Sequence, residues 1–84
     1  MLSAGGALAG VLGGTRVALV LSLPAPVREV LLVAEANRPE AEGWLLGRDG
    51  RPTPVVWRSG ERLGEADIVH AGDCLELVLA VSGG

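Results

Sequence analysis

From Arg16 to Leu23 the bulky apolar residues Val17, Leu19, Leu21 and Leu23 take every second position, with Ala18 and Ser22 among the residues between them. A period of two places such a set on one face of a strand, so this run predicts a strand with a single face to bury. The segment Cys74 to Val81 has the same form: Leu75, Leu77 and Leu79 share one face, and Glu76, Val78 and Ala80 the other. Two such strands near opposite ends of an 84-residue chain require a covered sheet, and little chain is available to cover it. Pro24-Ala25-Pro26 interrupts the first strand, and the β-branched run Val27 to Val33 reads as a second, joined to it as an antiparallel hairpin. Asn37-Arg38-Pro39-Glu40 carries a cap residue, a first-turn proline and an early acid, which predicts a helix with Ala41, Trp44 and Leu45 on one face and a stop at Asp49-Gly50. Val55 to Arg58 is a further strand, closed by the turn Ser59-Gly60-Glu61, with an extended piece at Arg62-Leu63 and a tight turn over His70 to Asp73. The expected class is α+β, a mixed sheet of four to five strands wrapped on one helix.

Composition narrows the function. Apolar residues are 49% of the chain and aromatics 2%, with no Phe or Tyr, so the core must be aliphatic, with Trp44 and Trp57 as its expected large members. A net charge of −3 argues against direct binding of nucleic acid by counterion release. All seven basic residues are arginine, which excludes a GxxxxGK phosphate loop and a Schiff-base lysine. The single cysteine, Cys74, forms no internal disulfide, fits a reducing cytoplasmic setting, and reads as a small packing residue. Asp67, Asp73 and Glu65 read as turn formers and loop charges rather than acid-base catalysts, and a lone His70 makes no metal site.

Met1 to Thr15 carries no side-chain charge and is rich in Gly, Ala and Leu. As a helix it would reach about 22 Å against roughly 30 Å of hydrocarbon, too short to span a membrane. Its apolar part precedes Arg16, the reverse of a secretion signal. The expected organisation is a flexible extension over residues 1 to 15, a domain over 16 to 81, and a flexible tail over 82 to 84.

The Gly60-Glu61 turn, the Gly72-Asp73 turn, the run Gly72-Asp73-Cys74-Leu75-Glu76-Leu77 and the end Ala80-Val81-Ser82-Gly83-Gly84 together resemble the ubiquitin-like β-grasp sulfur carriers of the MoaD/ThiS family. The resemblance covers residues 16 to 84. Within that family Arg16-Val17, Asn37-Arg38-Pro39, Arg58-Ser59-Gly60-Glu61 and the Ala-Val-Ser-Gly-Gly end look most like the carriers that feed tRNA 2-thiouridine formation. The tail lacks the proline pair of many molybdopterin-synthase small subunits, and its form is shared by the thiamine carrier. The resemblance implies a cosubstrate and not a catalyst. Gly84 would be adenylated by an E1-like enzyme using ATP and converted to a thiocarboxylate (1-thioglycine) by a sulfur donor of the cysteine desulfurase or rhodanese type. A downstream enzyme would then transfer the sulfur. Thiazole or molybdopterin sulfur delivery, or conjugation through Gly84 as a protein modifier, are the alternatives; no bound cofactor, nucleic acid or membrane is implied.

Elementary chemistry makes the same demands of such an end. Ser82 to Gly84, extended, spans about 10 Å, enough to carry a terminal carbonyl into another protein's channel. Glycine at the last two positions leaves no Cβ to obstruct attack at the acyl carbon. For a partner-binding surface, Val55 and Trp57 are expected to face inward. Val56 and Arg58 would then face outward beside Glu76, Val78 and Ala80, with Val81 also assigned to partner binding and Arg58 or Arg62 adding an ion pair at the rim.

Overall fold

The computed structural model describes residues 1 to 79. Its elements run β1 (Leu2–Ala4), α1 (Gly6–Leu12), β2 (Arg16–Val17), β3 (Ala25–Pro26), α2 (Val27–Asn37), a 3₁₀ turn (Pro39–Ala41), β4 (Pro54–Arg58), β5 (Glu61–Leu63), β6 (Ile68–Val69) and β7 (Leu75–Leu79). Five strands form one sheet in the order β2-β1-β7-β4-β5, and β3 pairs with β6 in a separate two-stranded ribbon. Only β1 and β7 run parallel; the other neighbours are antiparallel, so the five-stranded sheet is mixed. This is the expected α+β class, with two helices instead of one.

Register defines the two faces. Ala4 lies opposite Leu77, Leu77 opposite Val56, and Val56 opposite Leu63, giving one row of buried side chains across four strands. Leu8 and Leu12 of α1 and Val27, Val30, Leu31 and Ala34 of α2 join that row in the core. The opposite row is Arg16, Ser3, Glu76, Trp57 and Arg62, again in register across all five strands.

Four expectations are corrected. Residues 1 to 15 are not a loose extension: β1 lies between β2 and β7, and Leu2, Leu8 and Leu12 are buried. The charge-free Gly/Ala/Leu composition that suggested looseness suits a strand and a short helix tucked into the core. Gly13 ends α1 at φ +87°, donates its N–H to the Ala9 carbonyl, and leaves room for the Arg38 guanidinium, 3.0 Å from where a Cβ would stand. Second, Val27 to Val33 is helix and not strand. Val27, Val30, Leu31 and Ala34 recur at intervals of three, four and seven, and that helical period outweighs the β-branched composition of the run. The first turn of α2 has no side-chain cap; Val27 and Arg28 donate their N–H groups to the carbonyls of Asp67 and Glu65 instead.

Third, the helix expected after Asn37 stops at the 3₁₀ turn, because Gly43 takes φ +83° and the chain turns back. The returning loop is held by Glu35: its Oε2 accepts the N–H groups of Gly43 at 3.1 Å, Leu45 at 3.1 Å and Leu46 at 2.9 Å. Leu45 is thereby driven into the core while Trp44, the expected core member, stays 37% exposed. Fourth, the strand expected over Arg16 to Leu23 pairs only at Arg16 and Val17, although Leu19, Leu21 and Leu23 still pack on the core.

Candidate functional site

The tail Ser82, Gly83 and Gly84, with Ala80 and Val81, lies outside the described residues. The structure does fix what leads to it: β7, flanked on both sides by β1 and β4. Glu76 and Val78 of β7 project to the face opposite the helices, and Val78 is 43% exposed. Beside them Val55 faces Val78 and Trp57 faces Glu76 across the β4 ladder. A shallow groove of about 430 Å³ runs along Ser3, Gly5, Glu76 and Val78. The result is an apolar patch of Val55, Trp57 and Val78 with Arg16 on the β2 edge and Arg62 on β5, the kind of exposed apolar surface that marks protein binding.

Two residues assigned to that surface from sequence belong elsewhere. Val56 is buried at 2% exposure, because its register opposite Leu77 puts it on the core face. Three consecutive apolar residues, Val55-Val56-Trp57, hide the parity of the strand, and a slip of one residue inverts every side chain. Trp57 therefore faces out, half-buried, where the sequence reading placed Val56. Arg58 follows Val56 in parity and turns to the end of the sheet. Its Nη1 donates to the Ile68 carbonyl at 2.8 Å and to Asp73 Oδ2 at 2.9 Å, so it forms an internal ion pair and not a rim contact with a partner. Val78 sits where expected.

The Arg58–Asp73 pair clamps the turn from which β7 starts. Asp73 Oδ2 also accepts the His70 N–H at 2.9 Å, and Gly72 within the turn takes φ +88°. The Met1 ammonium donates to the Asp73 carbonyl at 3.3 Å, which ties the start of β1 to the same place. Asp73 and Asp67 are turn formers, as the sequence suggests; Asp67 Oδ2 accepts the Gly64 N–H at 2.6 Å. Cys74 is exposed and not packed. Among the described residues no cluster of His, Cys, Asp and Glu could hold a metal ion, and no helix is long and apolar enough to cross a membrane.

The His70 N–H holds the Asp73 carboxyl below its ordinary value of 3.8, with Arg58 assisting against the opposing effect of burial. A carboxyl depressed in the folded state contributes stability that is complete above the unfolded value and is lost as pH falls through the folded one. Acid unfolding should therefore be partly set by this clamp. The Tm of Asp73→Asn is expected to be lower than that of the parent at neutral pH, with the two converging as pH falls below about 4. A constant Tm gap across that range would contradict the assignment.

No family model and no curated protein sequence matches the chain. Among solved structures, the crystal structure of SAMP1 from Haloferax volcanii is similar at a TM-score of 0.83 and 30% identity, covering 99% of this chain and 96% of that one. A second crystal structure, of H. volcanii small archaeal modifier protein 1, is similar at 0.83 and 28% identity over 95% and 94%. A Pyrococcus furiosus protein assigned as molybdopterin converting factor subunit 1 shares the fold at 0.77, with 13% identity. With its mixed five-stranded sheet, its apolar outer face beside β7 and its likeness to SAMP1 over nearly the whole of both chains, this chain belongs to the ubiquitin-like β-grasp family of small MoaD/ThiS-type carriers.

Proposed function

We propose that the chain is a sulfur carrier whose Gly84 carboxylate is activated by an E1-like enzyme and serves tRNA thiolation. A free carboxylate resists nucleophiles; transfer of AMP from ATP, with release of pyrophosphate, turns it into an acyl adenylate. A persulfide sulfur then displaces AMP to give an acyl persulfide, and a second thiol attacks the donor's sulfur, releasing the Gly84 thiocarboxylate and leaving the two thiols joined as a disulfide. The carrier supplies no acid or base to these steps. It supplies a thin end and a docking face. The observation that carries the reading is the Ser82-Gly83-Gly84 sequence, which begins three residues after Leu79 of the internal strand β7, whose Val78 forms an open apolar patch with Val55 and Trp57 of β4.

Conjugation to other proteins is the second reading, favoured by the likeness to small archaeal modifier protein 1. The bond would then be an isopeptide from Gly84 to a lysine of the target, and this chain, having no lysine, offers no side-chain amine as acceptor.

Incubation of the full chain with the activating enzyme, ATP and a sulfur donor should raise its intact mass by about 16 Da, the mass of S less that of O. Deletion of Gly84 should abolish both the shift and cellular 2-thiouridine. Val78→Asp should keep the fold and lower the kcat/KM of adenylation by about tenfold, the effect of spoiling one central interface contact. Unchanged 2-thiouridine without Gly84 would overturn the tRNA reading, and lysine-linked adducts in place of the mass shift would establish the second.

A further inference from the structure

A second, unassigned feature lies where β7 begins and does not depend on the carboxyl end. Between β2 and β3 the chain makes no ladder, yet Leu19, Leu21 and Leu23 turn inward at every second position and pack, half-buried, on the core, while Val20 between them is 95% exposed. These three leucines border a partly open cavity of about 180 Å³. Leu2 and Leu75, which stand opposite each other in the parallel pair of β1 and β7, line it as well. Val30 of α2 and Val69 of β6 complete its apolar wall, and these last four residues are each no more than 3% exposed.

The wall offers little to a polar guest. Asp73 is the one ionisable side chain among the lining residues, and its Oδ2 already accepts from Arg58 Nη1 at 2.9 Å and from the His70 N–H at 2.9 Å. A water held there would need two to four polar partners. Native interiors keep few voids larger than a water molecule, because an unfilled space forfeits the dispersion contacts of its walls. A cavity of about 150 Å³ walled by leucine, isoleucine and phenylalanine stays dry and accepts benzene, so the size and wall chemistry here suit a guest of that kind.

We propose that this cavity binds a compact, uncharged apolar molecule, a single ring or a branched aliphatic of about six non-hydrogen atoms. The segment carrying Leu19, Leu21 and Leu23 is the wall that yields on entry, since moving it breaks no ladder, whereas the facing walls are held in sheet and helix. The occupant rests against Leu2 and Leu75 and so braces β1 on β7, where the Leu75 N–H donates to the Met1 carbonyl at 2.9 Å.

The test titrates the full chain with benzene, and separately with dioxane as a polar ring of the same size, up to about 10 mM, followed by NMR of amides and methyl groups. Saturable shifts are expected for benzene at Leu2, Leu21, Val30, Val69 and Leu75, with slower exchange of the Leu75 amide. At tenfold excess over its Kd the Tm should rise by roughly 5 to 10 °C. Dioxane should bind at least about tenfold more weakly, because its oxygens find no donors inside. Leu21→Phe fills the space from its half-buried side, and Val69→Leu fills it with a smaller change; each should weaken benzene binding by about tenfold or more. Leu32→Ala, on the exposed face of α2, should leave it unchanged. Absence of saturable shifts, shifts centred on Trp57 and Val78, equal affinity for dioxane, or binding undiminished in both filling variants would overturn the proposal.

Discussion

Removal of residues 1 to 14 is expected to leave a chain that does not fold. The segment contributes Leu2, Leu8 and Leu12, each no more than 3% exposed, and burial of three leucines is worth about 5 to 9 kcal/mol. That is comparable with the whole stability of a small domain, about 5 to 15 kcal/mol. The loss goes further, because β1 is an internal strand: without it the ladder at β7 is stripped on one side and β2 has no partner. Far-ultraviolet circular dichroism and dispersion of the amide NMR spectrum would show the difference directly. A cooperative thermal transition in the truncated chain would mean that the β1 pairing is dispensable. The milder variant Leu8→Ala should remain folded and lose about 3 kcal/mol, within the range for buried leucines.

Glu35→Ala is expected to cost about 2 to 4 kcal/mol, although the residue is not in the core. One carboxylate oxygen accepts three backbone N–H groups, two of them in part-buried positions, and alanine leaves all three without that acceptor. The loop they anchor carries Leu45 and Leu46 into the core, so packing is lost with the hydrogen bonds. For a chain of this size the fall in Tm is roughly 10 to 20 °C. Glu35→Gln keeps a carbonyl oxygen but not the charge and should lose about half as much. Equal Tm values for the two variants would show that occupancy of the site, and not its acceptor, is what matters.

These two effects mark where the sequence was mute. The β4 to β7 half was legible because its signals are local: Ser59-Gly60 turns with both residues at positive φ, Asp73 caps its own turn, and Leu75 and Leu77 alternate with Glu76. The α2 period was also present at Val27, Val30, Leu31 and Ala34, but a proline-flanked β-branched run concealed it. By contrast, the place of β1 depends on pairing with a strand more than 70 residues away, Leu2 with Leu75, and no local pattern reports it. Glu35 reaches Leu46 across eleven positions by the same kind of non-local bond. At the candidate site Val78 was legible because its neighbours alternate cleanly, whereas Val56, Trp57 and Arg58 were not. Parity within an unbroken apolar triplet is set only by the partner strand.

The parallel pairing of β1 with β7 also governs how the molecule answers force. Tension applied between Met1 and Leu79 pulls two adjacent, co-directional strands along their length, so their shared hydrogen bonds are loaded together in shear and do not peel one at a time. A hand-hold at either end is thus braced by the middle of the sheet, and tugging on it should rupture the domain in one abrupt event at high load.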